Sequence, residues 1–291
     1  MQNSIKASAV AAILLAAGSA QALPQKLADR GQEPGPGQSP FQAGAKPILK
    51  KPEGSAAIVH TMADELGMVR LNLFKTLPGE DLDIVNRLQI GGSGMMTDPK
   101  TKAVSQISRY VYGISLHTGA ARLDVQRKDA SGKASRMVEV VSGDQAWDEA
   151  APGVGGKFAP DQVRPRLFFY ALFPQAFVRA AIKADLKTVQ VAEAGDVTTV
   201  TVPIDGAPVT ATLDQDYRPA KIVVSFKDPK QGRTTLEADY GRYWDITEYG
   251  VMFPRSVTIK RNGFAVFDLK IDDGRVGPYL IFPAPTAIAS R

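Results

Sequence analysis

Residues 196–271 constrain the fold most strongly, because they read as consecutive antiparallel strands joined by tight turns. Apolar and polar residues alternate along three runs, at 197–202, 209–213 and 221–226. Alternation with a period of two places one set of side chains on each face of a sheet. Asn262-Gly263 separates two further runs, and both residues tolerate the positive φ that a type I′ turn requires. The stretch therefore predicts half of an antiparallel sheet.

The Asn262-Gly263 turn also predicts the register of its hairpin. A two-residue loop gives these cross-strand pairs: Arg261 with Phe264, Ile259 with Val266, and Thr258 with Phe267. One face of the last strand is then apolar throughout, whereas the other face is apolar only near the turn. A sheet with one solvated face shows cleaner alternation than this. The mixed faces predict a strongly curved sheet whose inner face is covered by helices.

A first set of strands precedes this stretch, and its first member has a glycine-rich middle. The set is predicted at 85–96, 104–116, 120–128 and 136–142. Gly91-Gly92-Ser93-Gly94 lacks the Gly-Lys-Ser/Thr ending of a phosphate-binding loop, and no helix follows it. We therefore predict a β-bulge or a close approach of two backbones at these glycines.

Two short helices are predicted between the strand sets, from Pro165 to Leu172 and from Pro174 to about Ala184. A proline in the first turn of a helix sacrifices no helical hydrogen bond. The first helix is apolar on almost every side, so it is buried or covers something apolar. With a further helix beginning near Ser55, the sequence predicts an α+β fold. We expect an open half-barrel of about 10–11 antiparallel strands, with helices covering its concave face.

Composition excludes several classes of site. The chain has no Cys and two His, which removes disulfides, thiolate metal sites and a three-histidine metal centre. Its formal net charge of +5 comes from scattered residues without a long basic run, so no nucleic-acid partner is predicted. His60 and His117 accompany no nucleophile, and no Gly-x-Ser-x-Gly motif occurs. No metal, cofactor or catalytic residue is predicted.

The N-terminal residues 1–22 have the pattern of a secretory signal peptide. Lys6 supplies the positive charge, Ala7 to Ala17 form a short apolar segment, and Ala20-Gln21-Ala22 matches a cleavage site. We expect cleavage after Ala22, a periplasmic location, and no transmembrane span in the mature chain. The rest divides into a disordered Pro/Gly-rich linker (23–54), a single half-barrel domain (55–280) and a C-terminal tail (281–291).

Two motifs carry a family resemblance. They are Glu248-Tyr249-Gly250-Val251-Met252-Phe253-Pro254, before the hairpin, and Val141-Ser142-Gly143-Asp144-Gln145-Ala146-Trp147, a strand–turn–Trp element. With the order of helices and strands, they make residues 56–275 resemble the periplasmic lipoprotein-carrier superfamily of LolA, LolB and RseB. The resemblance implies an open half-barrel with helices on its concave side and a hydrophobic cavity for acyl chains.

The main functional hypothesis is a non-catalytic exported module that binds a lipid or another apolar or amphiphilic ligand in the half-barrel. The residues predicted to line its cavity are Phe168, Phe169, Leu172, Phe177, Phe267 and Leu269. Three arginines flank the apolar helices and are candidates to meet an anionic headgroup at the cavity mouth: Arg164, Arg166 and Arg179.

Two alternatives stay open. The first is a protein-interaction or envelope-sensing module of the same fold, with a filled core and an envelope protein as its partner. The second is a lipid or glycan hydrolase that uses Asp239 and Asp245 as an acid/base pair. The first alternative predicts a tightly packed interior, and the second predicts a polar cleft around the two carboxylates.

Overall fold

The computed structural model of the chain describes residues 62–74, 85–246 and 250–285, all of which belong to one unit, Ile58–Arg291. The helices of these residues are α1 (Met62–Leu73), α2 (Val163–Ala171) and α3 (Pro174–Lys183), with a short 3₁₀ turn at Pro160–Gln162. The strands are β1 (Arg87–Thr97), β2 (Val104–Ser115), β3 (Ala120–Lys128), β4 (Ala134–Ser142), β5 (Gln145–Glu149), β6 (Lys157–Phe158), β7 (Gln190–Ala194), β8 (Val197–Ile204), β9 (Ala207–Leu213), β10 (Pro219–Asp228), β11 (Gly232–Tyr240), β12 (Tyr243–Asp245), β13 (Met252–Pro254), β14 (Ser256–Arg261) and β15 (Phe264–Val276).

Within the described residues, thirteen strands form one antiparallel sheet that is not closed, in the order β6-β5-β4-β3-β2-β1-β15-β14-β11-β10-β9-β8-β7. β12 and β13 form a separate two-stranded sheet. The antiparallel sheet is confirmed, but the expected count of about 10–11 strands is too low. The short edge strands contribute to the difference. β6 has two residues and β7 is mostly exposed, so neither carries the apolar alternation that marks a strand in sequence.

Four hairpin turns lie side by side at one end of the sheet, which we call the hairpin end. They join β3 to β4 (residues 129–133), β1 to β2 (98–103), β14 to β15 (262–263) and β10 to β11 (229–231). The eight strands are consecutive in the sheet and antiparallel, so these turns fall at the same end.

The glycine-rich middle of β1 makes a close approach of two backbones, as predicted. The register of β1 shifts between Gly91 and Gly92 against β15, and between Gly92 and Gly94 against β2. A Cβ atom at Gly92 would overlap the carbonyl oxygen of Lys270, and one at Gly94 would overlap that of Asp268. These glycines are therefore required by the packing of β1 against β15.

The β14–β15 hairpin differs from its predicted register by one residue. Arg261 pairs with Phe264 as predicted, but Ile259 pairs with Phe267 instead of Val266. The register shift is a β-bulge that leaves Val266 as the extra residue. Because of this bulge, the consecutive residues Val266 and Phe267 are both buried. The bulge therefore explains why apolar residues appear on both faces of the last strand near the turn.

Helices α2 and α3 lie close to their predicted bounds and contact strands from both halves of the sheet. The ring of Phe168 packs 4.5 Å from that of Phe226 on β10, and Phe173 packs 4.9 Å from Tyr112 on β2. The Tyr240 hydroxyl donates a hydrogen bond to the carbonyl oxygen of Leu172 between the two helices. These contacts hold the helical segment on the sheet.

Several predictions lie outside the described residues. They are the signal peptide (1–22), the linker (23–54) and the start of the first helix near Ser55. His60 and the motif residues Glu248 and Tyr249 also lie outside. The domain boundaries stay predictions. In the described part of the chain, no helix has the length and apolar character needed to cross a bilayer.

Candidate functional site

An apolar cavity of about 170 Å³ lies toward the hairpin end of the sheet, between helix α2 and strands of both halves. We call it the main cavity. Residues near strand ends, among them Thr97, Pro99 and Arg261, line it at the hairpin end. The apolar walls come mainly from Leu123, Met137, Phe169, Ile259, Val266 and Phe267. The β15 bulge shapes this wall, because it turns both Val266 and Phe267 inward.

Phe169 separates the main cavity from two inner voids of about 20 Å³ each, and it lines all three. Its ring makes edge contacts with Tyr112 at 5.7 Å and with Phe267 at 6.1 Å between ring centroids. The neighbouring Phe168, in contrast, is fully buried. Rotation of the Phe169 side chain would therefore connect the cavity to the inner voids.

Glu139 and Arg261 are the charged residues of the main cavity wall. Burial raises the pKa of Glu139, and the nearby Asp148 carboxylate adds to this effect, whereas Arg166 and Arg261 oppose it. The Glu139 carboxylate lies 3.5 Å from the Arg166 guanidinium. The cavity thus offers an apolar wall with one carboxyl and one guanidinium.

The structure distributes the six predicted lining residues over three environments. Phe169 and Phe267 line the main cavity. Leu172 and Leu269 line one of the inner voids together with Phe169. Phe168 and Phe177 are fully buried and line neither the main cavity nor the inner voids. Ligand binding by these residues stays a prediction.

The three predicted arginines do not line the main cavity. Arg164 forms an ion pair with Asp205, at 2.7 Å between Nε and a carboxylate oxygen. Arg179 lies on α3, where its charge opposes the effect of burial that raises the pKa of Tyr170 to about 12.

Arg166 is buried and lines one of the inner voids. Its guanidinium donates hydrogen bonds to the carbonyl oxygens of Val140 at 3.1 Å and Trp147 at 2.8 Å, and to the Asp148 carboxylate. A charged group held by this many partners has little freedom to meet a ligand. Arg166 therefore fastens α2 to β4 and β5.

Sequence reasoning missed most of the cavity wall, including Met96, Leu123, Met137, Glu139 and Val266. They lie on β1, β3, β4 and β15, and only the order of strands in the sheet brings them to one face. A partial signal was present in Met96 and Met137, because methionine often fills irregular apolar sites.

The carboxylates of the hydrolase hypothesis have other partners. Asp239 forms ion pairs with Lys221 at 3.2 Å and with Lys260. Asp245 accepts a hydrogen bond from the backbone N–H of Gly250 at 2.7 Å. Neither residue lines the main cavity. Their environment therefore gives no support to an acid/base pair.

The pKa of Glu139 predicts a pH-dependent stability. A carboxyl whose folded-state pKa is raised above its ordinary value of 4.5 contributes most stability below that value and loses it as the pH rises. We expect Glu139→Gln to increase the free energy of unfolding at about pH 7 and to change it little below about pH 4. Urea denaturation at both pH values measures this effect. The exposed Glu193→Gln is the matched control, and equal pH profiles for the two variants would contradict the prediction.

Comparison with known proteins finds solved structures that are similar to this chain. No protein-family model matches the chain, and no curated protein sequence matches it. The structure is similar to the crystal structure of the LolA superfamily protein NE2245 from Nitrosomonas europaea, with 12% identity and a TM-score of 0.40. The similarity covers 76% of this chain and 96% of that chain.

Proposed function

We propose that this chain is an exported, non-catalytic periplasmic module that binds an apolar or amphiphilic molecule in the main cavity. The observation that carries the proposal is the apolar wall around Phe169 and Phe267, broken by the charged Glu139 and Arg261. Ligand pockets typically combine apolar walls with a few polar groups of this kind. In this proposal, α2 and α3 cover the concave face of a half-barrel, and the cavity lies beneath them.

The size of the cavity limits what it holds in this conformation. A volume of about 170 Å³ is close to that of the engineered cavity of about 150 Å³ that binds benzene. An aromatic ring or the end of one acyl chain therefore fits without rearrangement. A longer chain requires Phe169 to rotate, because that side chain separates the main cavity from the inner voids.

The polar groups on the cavity wall support binding over catalysis. Thr97, Glu139 and Arg261 lie among apolar neighbours, and the lining residues include no Ser, His or Asp. A nucleophilic mechanism needs a nucleophile beside a base. Among the described residues, no hydrogen bond joins the Thr97 hydroxyl to the Glu139 carboxylate. Glu139 and Arg261 instead provide a carboxyl and a guanidinium for the polar end of an amphiphile.

The interaction or sensing module remains the second candidate, because much of the interior is filled by side chains. Phe168 and Phe177 are fully buried, and each inner void measures about 20 Å³. This volume holds no more than a water-sized group. In this second candidate, the main cavity is a packing defect without an occupant.

A pair of adjacent methionines tests the proposed function. Met96 lines the main cavity, whereas Met95 is 42% exposed and points to the other face of β1. We expect Met96→Trp to fill the cavity and to weaken binding of the apolar fluorescent probe N-phenyl-1-naphthylamine by about tenfold or more, equivalent to about 1.4 kcal/mol. Met95→Trp is the matched control and should bind the probe like the wild type.

Fluorescence titration measures both affinities, and circular dichroism checks that each variant is folded. No probe binding by the wild type would overturn the proposal in favour of the filled core. Equal weakening by Met95→Trp and Met96→Trp would also contradict it, because the effect would then not depend on the cavity.

A further inference from the structure

The hairpin end of the sheet carries a set of exposed cations, which we call the basic rim. Its members are Lys100, Lys102, Lys128, Lys133, Lys227 and Arg233. They lie in or directly beside three of the four turns that line up at this end. A surface groove of about 460 Å³ beside the 129–133 turn is lined by Arg127 and by Arg136, which forms an ion pair with Asp124. Positive charge is therefore spread along one end of the sheet.

The acidic residues of the same turns are used to build the turns. Asp98 accepts hydrogen bonds from the backbone N–H groups of Lys100 and Thr101, each at 2.8 Å. Asp129 binds the backbone N–H groups of Ser131 and Lys133 in the same way. Asp228 binds those of Lys230 and Gln231. These carboxylates turn toward the backbone, and the lysine side chains remain at the surface.

Most of the rim cations have no carboxylate partner. No carboxylate of the described residues lies within ion-pair distance of Lys128, Lys133, Lys227 or Arg233. Two cations within the strands differ, since Lys221 on β10 and Lys260 on β14 each pair with both Glu237 and Asp239.

One pair of rim cations works against the stability of the fold. Lys227 lies directly opposite Arg233 in the β10–β11 register. Like charges at facing positions of an antiparallel pair destabilise it. The stability of the fold therefore does not explain why two cations face each other here, whereas binding to an anionic partner does.

Apolar groups accompany the rim. Met95 and Val104 beside the 98–103 turn are 42% and 47% exposed. The ammonium group of Lys102 lies 3.5 Å from the ring centroid of Phe264. Thr97 and Pro99 of the same region line the main cavity. Basic and apolar groups interleaved at one surface are typical of proteins that bind a bilayer interface.

We propose that the basic rim docks the protein on an anionic bilayer surface, with the main cavity close to the membrane. This inference rests on the proposed function, because docking in this orientation places the cavity beside a source of amphiphilic molecules. The charges are distributed over several turn tips rather than gathered in one pocket, which suits the headgroups of a lipid surface better than a single anionic ligand.

Vesicle co-sedimentation of the folded chain tests the proposal. We expect binding to phosphatidylcholine vesicles that contain about 30% phosphatidylglycerol, and little binding to phosphatidylcholine alone. Raising the salt from about 0.05 M to about 0.5 M should release the protein, because salt screens exposed charges. Equal binding to neutral and anionic vesicles, or no binding to either at low salt, would overturn the proposal.

Charge-reversal variants locate the surface. Two double variants, Lys128→Glu with Lys133→Glu and Lys227→Glu with Arg233→Glu, should each weaken binding to anionic vesicles by about tenfold or more. Lys270→Glu with Arg275→Glu makes the same change of charge on the half of β15 away from the hairpin end. This control should bind like the wild type. Equal loss in all three variants would show that net charge alone governs binding, and the rim would not be a docking surface.

The same variants separate this proposal from the proposed function. The rim variants should bind N-phenyl-1-naphthylamine like the wild type, and Met96→Trp should bind anionic vesicles like the wild type. Probe binding without vesicle binding by the wild type would overturn the docking proposal alone. Vesicle binding without probe binding would instead overturn the proposed function and leave docking intact.

Discussion

Glu149→Ala is expected to lower the free energy of unfolding by about 3 to 5 kcal/mol, the range for breaking a buried ion pair. The Glu149 carboxylate accepts hydrogen bonds from Nε and Nη2 of Arg122 at 2.8 and 2.9 Å, and from Nε1 of Trp147 at 2.9 Å. It also accepts one from the backbone N–H of Gly153 at 2.7 Å. Removing it leaves several buried donors without their acceptor, and Trp147 itself is 1% exposed.

The effect should depend on pH. Burial acts to raise the pKa of Glu149, but the hydrogen bonds from Arg122, Gly153 and Trp147 outweigh it and hold the pKa below 4.5. A carboxyl with a lowered pKa contributes stability above its ordinary value and loses it as the pH falls through the folded-state pKa. The difference between Glu149→Ala and the wild type should therefore shrink in acid.

Urea denaturation at about pH 7 and about pH 3 measures this difference. The nearby exposed Asp144→Ala is the matched control and should change the free energy of unfolding by no more than about 0.5 kcal/mol. A loss below about 1 kcal/mol for Glu149→Ala would contradict the ion-pair account.

Gly92→Ala is expected to lower the free energy of unfolding by about 3 kcal/mol, at the upper end of the cost of overpacking. The new Cβ would overlap the carbonyl oxygen of Lys270 on the neighbouring strand. That oxygen belongs to the backbone, so it cannot move away as the end of a flexible side chain can. The β1–β15 pair would have to separate, and this pair joins the two halves of the sheet.

Gly67→Ala is the same change of residue at another position, and it is expected to have the opposite effect on stability. Gly67 lies inside α1, and no atom lies within 4 Å of a Cβ placed there. Alanine is the better helix former by about 1 kcal/mol, so this variant should be more stable than the wild type. Thermal unfolding of both variants measures the effects. Destabilisation by Gly67→Ala equal to that of Gly92→Ala would count against a specific clash at Gly92.

Local sequence patterns predicted the helices well, because their signals lie within a few residues. Pro174 begins α3, and the predicted end near Ala184 lies one residue beyond the observed end at Lys183. The predicted helix from Pro165 to Leu172 corresponds to α2, Val163–Ala171. Proline at a helix start and uniform apolar character are both visible without knowledge of the contacts.

The β14–β15 hairpin shows where local reasoning stops. Asn262-Gly263 correctly predicted the turn and the first pair, Arg261 with Phe264. The bulge at Val266 then moved the register by one residue, and a shift of one residue exchanges the faces of a strand. No local pattern marks this bulge, since Ala265, Val266 and Phe267 are all apolar.

The cavity wall depended on the same long-range pairing. Phe169 and Phe267 were predicted from their apolar surroundings, and both line the main cavity. Glu139 was not predicted to line the cavity, because in the sequence it is one polar residue of a strand in which polar and apolar residues alternate. Arg166 was predicted at the cavity mouth, but the carbonyl oxygens of Val140 and Trp147 bind it in the interior.

By itself, the sequence determined most of the antiparallel strands, the two helices between the strand sets, and the close backbone approach at the β1 glycines. These features depend on the alternation of polar and apolar residues, on the positions of the prolines and on the missing side chains of the glycines. All of these are visible in short stretches of neighbouring residues. Only the tertiary structure decided which residues meet in the cavity and which cations share the basic rim. The physical reason is that the order and register of paired strands bring distant residues together, and one bulge in β15 was enough to turn both Val266 and Phe267 into the cavity.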